Sequence, residues 1–168
     1  AWEAGICEFD TAQAYGECEH VLGNVLCSLG INNEVKITSK FYPNLNHLNR
    51  HDLLKALEKT LSNLRVPRLY SVILHKEEFL DLWDKGLGNI LSGLVSSGLV
   101  EHLGVSVYLP DKAIQAIKTD SISIVQLPSS LLDRRFERAG VFQLAEDNGK
   151  QIYVRSVFLQ GLLFMDSK

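Results

Sequence analysis

Much is scarce in this 168-residue sequence. It has one Met, two Trp, four Pro and three Cys. The cysteines, Cys7, Cys18 and Cys27, are odd in number, and their spacing matches no common zinc or redox motif. They are expected to pack in a reducing compartment: Cys7 on a strand, Cys18 and Cys27 on or near the apolar face of a helix. No apolar run is long enough to span a bilayer, and no charged, apolar and small-residue layout marks a signal peptide. No charge of one sign dominates. The net charge is −3 and the Lys and Arg residues are scattered, which argues against a nucleic-acid partner and against a polybasic membrane patch. The expected location is cytoplasmic. No glycine-rich dinucleotide fingerprint occurs either, because Gly86 and Gly88 follow no strand and lack a correctly placed third glycine. The first residue is not Met, which reads as an expressed, processed or partial piece of something longer.

What is present is a regular alternation. Ile6–Asp10, Val35–Lys40, Tyr70–His75, Gly104–Val107, Ile122–Leu127 and Gln151–Phe158 read as strands, short and apolar. Between them lie helical patterns. Cys18, Val21, Leu22, Val25 and Leu26 repeat at helical spacing, with Gly30 as a stop; Leu53, Leu57, Leu61 and Leu64 share one face and end before Pro67. Pro110 suits a first helical position, and an amphipathic stretch runs from Leu131 to about Glu146. About six strands with intervening helices predict an α/β fold with successive right-handed βαβ units and a parallel sheet. Either an open doubly wound sheet or part of a (β/α)₈ barrel satisfies this pattern. A complete barrel runs to about 250 residues, so the chain is short of one by roughly two strands.

The chemistry is expected at the strand ends. Asp10, Lys40, His75, Ser106, Gln126 and Ser156 end successive strands about one βα unit apart, which brings them to one rim of the sheet. An ionisable residue closing an apolar strand is unusual, because a buried charge is costly unless paired. Tyr15 lies in the loop after Asp10. A free phenol has a pKa of about 10, and a nearby Lys cation lowers it. Asp10 would hold Lys40 charged and oriented. Tyr15 would then donate a proton to a carbonyl oxygen as hydride reaches the carbon, with His75 bonding the same oxygen. No metal-ligand spacing accompanies the set.

The pattern Asp-Thr-Ala-x-x-Tyr-Gly-x-x-Glu from Asp10 to Glu19 resembles the first signature of the aldo-keto reductases. Ile-Thr-Ser-Lys ending at Lys40 and Val-Ile-Leu-His-Lys around His75 are similar to two later strands of that family. The resemblance implies a parallel TIM-type barrel, here incomplete, with residues 1–168 as a partial domain lacking the first and last strands. It also implies NADPH or NADH as cofactor, a small-molecule carbonyl substrate and a catalytic tetrad of Asp10, Tyr15, Lys40 and His75. Leu-Gly-Val-Ser-Val (103–107) looks like the family's Ile-Gly-Val-Ser-Asn, with Val107 in place of the Asn. Ser106 and Gln126 match the residues that hold the nicotinamide carboxamide, and Ser156 to Gly161 resembles the segment that meets the pyrophosphate. Arg155 stands where the family usually has an aromatic that stacks on nicotinamide; a guanidinium can also lie flat on a ring.

Taken singly, these residues have plainer readings. Glu19 reads as a first-turn charge favoured by the helix dipole, and His20, His47, His51 and His102 as surface or helix-end residues. A non-catalytic nicotinamide-binding or regulatory module, like the channel-associated β subunits of the superfamily, is the second expectation. A truncated product without activity of its own is the third.

Overall fold

The computed structural model describes residues 1–165. After a short 3-10 turn at Trp2–Ala4, the order is β1 (Glu8–Asp10), α1 (Cys18–Ser28), β2 (Lys36–Lys40), α2 (Arg50–Leu64) and β3 (Leu69–Leu74). A 3-10 segment (Glu77–Lys85) leads into α3 (Leu87–Ser96), β4 (Val100–Ser106), α4 (Pro110–Ile117) and β5 (Ile124–Pro128). The described chain closes with α5 (Arg135–Arg138), α6 (Val141–Asp147), β6 (Gln151–Arg155) and a kinked turn at Leu159–Phe164. All six strands are parallel and paired in chain order. No helix among the described residues is long and apolar enough to cross a membrane.

The sheet is curled, which decides between the two candidate folds. Five strand spacings separate β1 from β6, about 24 Å in a flat sheet. Yet the Tyr153 hydroxyl on β6 donates to Glu8 Oε2 on β1 at 3.2 Å. Gln126 on β5 likewise reaches Asp10 on β1 at 3.3 Å. Side chains can meet across the sheet this way only if it bends into an open half-barrel.

Period two sorts the faces. On β2, Thr38 shares a hydrogen bond with Ser71 on β3 and Lys40 turns to Asp10, while Ser39 points the other way and donates to Glu19 on α1 at 2.6 Å. The main core lies between the outer sheet face and the helices, where Ile37, Val72, Val105 and Val125 pack with Leu53, Leu57, Leu91 and Ile117. α2 starts where the Asn49 side chain accepts from the amides of His51 and Asp52, and it buries Leu53, Leu57, Leu61 and Leu64 as one stripe. Pro110 occupies the first turn of α4.

Several expectations need correction. α1 buries Glu19, Gly23 and Leu26, whereas Val21 and Val25 are exposed. The cause is Gly23: a Cβ there would sit 2.2 Å from the Asn63 carbonyl oxygen, so α2 approaches α1 over the glycine. That rotation leaves Cys18 and Cys27 exposed, and Cys7 is exposed too, so none of the three is a core residue. The stretch 131–146 is not one helix. Leu131 and Leu132 are exposed, and Gly140, at φ 71°, separates α5 from α6. β6 stops at Arg155 because Ser156 adopts φ 59°. β4 begins four residues earlier than expected, at Val100 rather than Gly104, because Val100 and His102 pair with β3 although Glu101 and His102 break the apolar run.

Candidate active site

The C-terminal ends of the strands form one rim. Asp10 ends β1, Lys40 ends β2, His75 follows Leu74 of β3, Ser106 ends β4, and Gln126 lies opposite Ser106 on β5. The loop after β1 continues the strand ladder, since the Thr11 amide donates to the Thr38 carbonyl at 2.9 Å and the Gln13 amide to the Lys40 carbonyl at 3.1 Å. The Gln13 side chain donates to the Ala56 carbonyl and to Thr60 on α2, and accepts from the Tyr42 amide at 2.8 Å. Three anchors therefore fix the loop that presents Tyr15. Sequence reasoning passed over Gln13; its only signal was a lone polar residue between two alanines.

The structure brings the four expected catalytic residues together. Lys40 Nζ donates to both Asp10 carboxylate oxygens at 2.6 Å and to the Thr11 carbonyl at 3.1 Å. It also lies 5.3 Å from the Tyr15 ring centroid. The Tyr15 and His75 rings meet edge to face with centroids 6.2 Å apart. Burial draws the Lys40 ammonium below its usual range, and the bond to Asp10 works against that shift. Burial also lowers His75, with the Lys40 charge second, so its imidazole is neutral at pH 7 and carries one N–H. Its Nδ1 is buried with no partner among the described residues.

Tyr15 departs from expectation. Burial raises its phenol above the ordinary value, Asp10 raises it further, and Arg155 opposes both. The Lys40 ammonium, which was expected to lower it, is paired with Asp10 at 2.6 Å. Tyr15 is thus a protonated donor at neutral pH.

The expected cofactor residues divide into two groups. Ser106 and Gln126 are buried side by side at the rim. The Gln126 amide donates to Asp10, and its Oε1 is buried without a partner among the described residues. A carbonyl oxygen in that condition fits an incoming carboxamide N–H. Val107 is fully buried in the core and adds no polar group. Ser156 is exposed just beyond β6, and Gly161 adopts φ 91° in the turn that follows. Neither joins the Asp10–Lys40 cluster by a hydrogen bond among the described residues.

Glu19, read as a first-turn charge, and His47, read as a surface or helix-end residue, are both buried. The Glu19 carboxylate accepts from Ser39 at 2.6 Å, Thr60 at 3.0 Å and Asn63 at 3.3 Å, which ties α1 to β2 and α2. His47 stacks on Phe79 at 3.8 Å, and its Nδ1 donates to the Leu45 carbonyl at 2.8 Å.

A half-barrel with this set at its rim defines a class, and comparison with known proteins agrees. The Aldo/keto reductase family model matches residues 1–167, and the chain belongs to that family. An aldo-keto reductase from Bacillus halodurans, solved in holo form, superposes with a TM-score of 0.83 at 23% identity, over 96% of this chain and 56% of that one. The aldo/keto reductase from Klebsiella pneumoniae, solved with NADP and acetate, gives 0.79 at 21% identity, over 95% and 56%. A protein of Schizosaccharomyces pombe named "Putative voltage-gated potassium channel subunit beta" is 32% identical over 88 residues, 46% of this chain and 26% of that protein. The chain thus spans little more than half the length of these solved relatives.

Proposed function

We propose that this chain carries the reducing centre of an NAD(P)H-dependent carbonyl reductase, with Tyr15 as proton donor. The observation that supports this best is the Asp10–Lys40 pair, closed at 2.6 Å beneath Tyr15 with neutral His75 at its edge. The bound nicotinamide supplies hydride to the carbonyl carbon. Gln126 Oε1 and Ser106 would hold its carboxamide, and Ser156 and Gly161 would serve its pyrophosphate. Tyr15 hydrogen-bonds the carbonyl oxygen and gives up its proton as negative charge develops there. His75 donates its single N–H to the same oxygen. Lys40 lies over the phenol ring, 5.3 Å from its centroid, and Asp10 keeps that ammonium protonated and in place. The aldehyde or ketone is the small-molecule partner.

The test is reduction of a panel of aldehydes with NADPH and with NADH, before and after Tyr15→Phe. Loss of a general acid predicts a fall in kcat of about 10²–10⁴ with little change in cofactor affinity. Undiminished turnover by the variant would rule Tyr15 out as the acid. The second reading is a nicotinamide-binding regulatory module, which the likeness to a protein named as a channel subunit favours. It predicts cofactor binding with negligible aldehyde turnover.

A further inference from the structure

Arg155 has no task in the reading above. It ends β6, and its guanidinium carbon lies 4.2 Å from the centroid of the Tyr108 ring. An aromatic face holds a cation without neutralising it, unlike a carboxylate. Tyr108 is itself fixed, because Glu77 accepts from its amide at 2.7 Å and from the Leu109 amide at 3.1 Å. Those bonds commit the Glu77 charge to the N-terminus of α4 rather than to Arg155.

Strand register relates Arg155 to Gln126. Gln126 on β5 lies opposite Tyr153 on β6, and Pro128 lies opposite Arg155. Tyr153 and Arg155 therefore share one face of β6, the face from which Tyr153 reaches across the curl to Glu8. With strands about 4.8 Å apart and a rise of about 3.3 Å per residue, the Cα atoms of Gln126 and Arg155 come to about 8 Å from each other. Gln126, Asp10 and Arg155 line one cavity of about 360 Å³.

The charges around that cavity do not balance. Lys40 is paired with Asp10 at 2.6 Å and Lys36 with Glu8 at 2.9 Å, whereas Arg155 forms no ion pair among the described residues. Its field already disfavours the cationic forms of Lys40 and His75. A nicotinamide ring is a cation when oxidised and neutral when reduced, while the phosphates of the cofactor are the same in both forms. A ring whose carboxamide sits on Gln126 meets one uncompensated positive charge, and only the oxidised ring is repelled by it.

We infer that Arg155 makes the site selective for redox state: it admits the reduced nicotinamide cofactor and disfavours the oxidised one. The inference rests on the nicotinamide reading proposed above. Such selection takes the hydride-bearing form from a mixed pool and speeds release of the spent form. Calorimetric titration of the purified chain with NADPH and with NADP⁺ tests it, alongside Arg155→Gln and Arg155→Lys. NADPH should bind about tenfold more tightly than NADP⁺. Arg155→Gln should bring the two affinities together, because any attraction of Arg155 for the phosphates cancels in their ratio. Arg155→Lys keeps the charge and should keep most of the preference.

The unaltered chain supplies a second measurement if a variant misfolds. The side-chain ¹⁵Nε resonance of Arg155 should stand at different positions in the NADPH and NADP⁺ complexes, and coincident positions would contradict the inference. Equal affinities, tighter binding of NADP⁺, or a preference that survives Arg155→Gln would overturn it and leave the nicotinamide reading in place. So would a preference lost equally in Arg155→Gln and Arg155→Lys, which would assign the effect to shape rather than charge. Binding of neither form by a chain that is folded by circular dichroism would overturn the nicotinamide reading and this inference with it.

Discussion

Lys40 and Asp10 form an asymmetric pair: the lysine side chain is 3% exposed and the aspartate 42%, yet both carboxylate oxygens lie 2.6 Å from Nζ. The buried member is the cation, so the carboxylate is what makes its burial tolerable. Exposure of Asp10 lets water share its solvation, and Lys40 has no such help. The pair is therefore a device for holding an ammonium under the Tyr15 ring.

Removing the carboxylate should strand that ammonium. Asp10→Asn is expected to cost about 2 kcal/mol of stability, below the full penalty for a buried pair because Asp10 is half in solvent. For a chain of this size that is a fall of about 4–8 °C in Tm at pH 7. The loss should shrink at pH 10, where the desolvated lysine sheds its proton. A penalty that is the same at both pH values would mean that Lys40 is not charged in the folded state.

Glu19 is predicted to be a structural carboxylate joining three elements. Glu19→Ala leaves donors on Ser39, Thr60 and Asn63 without an acceptor and should cost about 3 kcal/mol. Glu19→Gln retains one acceptor oxygen and should cost about 1 kcal/mol. Urea denaturation measures both. Equal, small losses would restore the reading of Glu19 as a first-turn charge favoured by the helix dipole.

Acid should weaken the fold through two histidines. Burial lowers His47, and burial together with Lys40 lowers His75. A histidine whose folded pKa lies below its unfolded value of about 6.5 binds fewer protons folded than unfolded as pH falls past that value. Stability is therefore fully present above about pH 6.5 and declines toward the lower folded pKa values. His47→Phe preserves the stack on Phe79 and removes the titrating group, so its Tm should fall less between pH 7.5 and pH 5.5 than that of the unaltered chain. An identical fall would show that His47 does not contribute.

The sequence made the rim legible because its residues break a simple rule. Asp10, Lys40 and His75 each close an apolar run, and polar atoms there stand out against burial. The curl was not legible from periodicity, since an open sheet and a half-barrel share the same alternation; contacts such as Tyr153 to Glu8 decide it. Nor was the buried face of α1, because a hydrophobicity count favours Val21 and Val25 over Gly23, whose value lies in having no side chain against Asn63. Glu19 and His47 were misjudged for one reason: burial of a polar group depends on partners far along the chain, such as Thr60 and Asn63 for Glu19 and Phe79 for His47. Arg155 marked a departure from the family pattern, but its stack on Tyr108 is a fact of three dimensions.

The central claim is that the strand-end rim of this chain is a nicotinamide site. Titration of the purified chain with NADPH and NADH, followed by cofactor fluorescence, tests it most directly. Saturable binding, weakened about tenfold or more by Gln126→Leu through loss of the carboxamide contact, is the predicted result. A chain that is folded by circular dichroism and binds neither cofactor would contradict it.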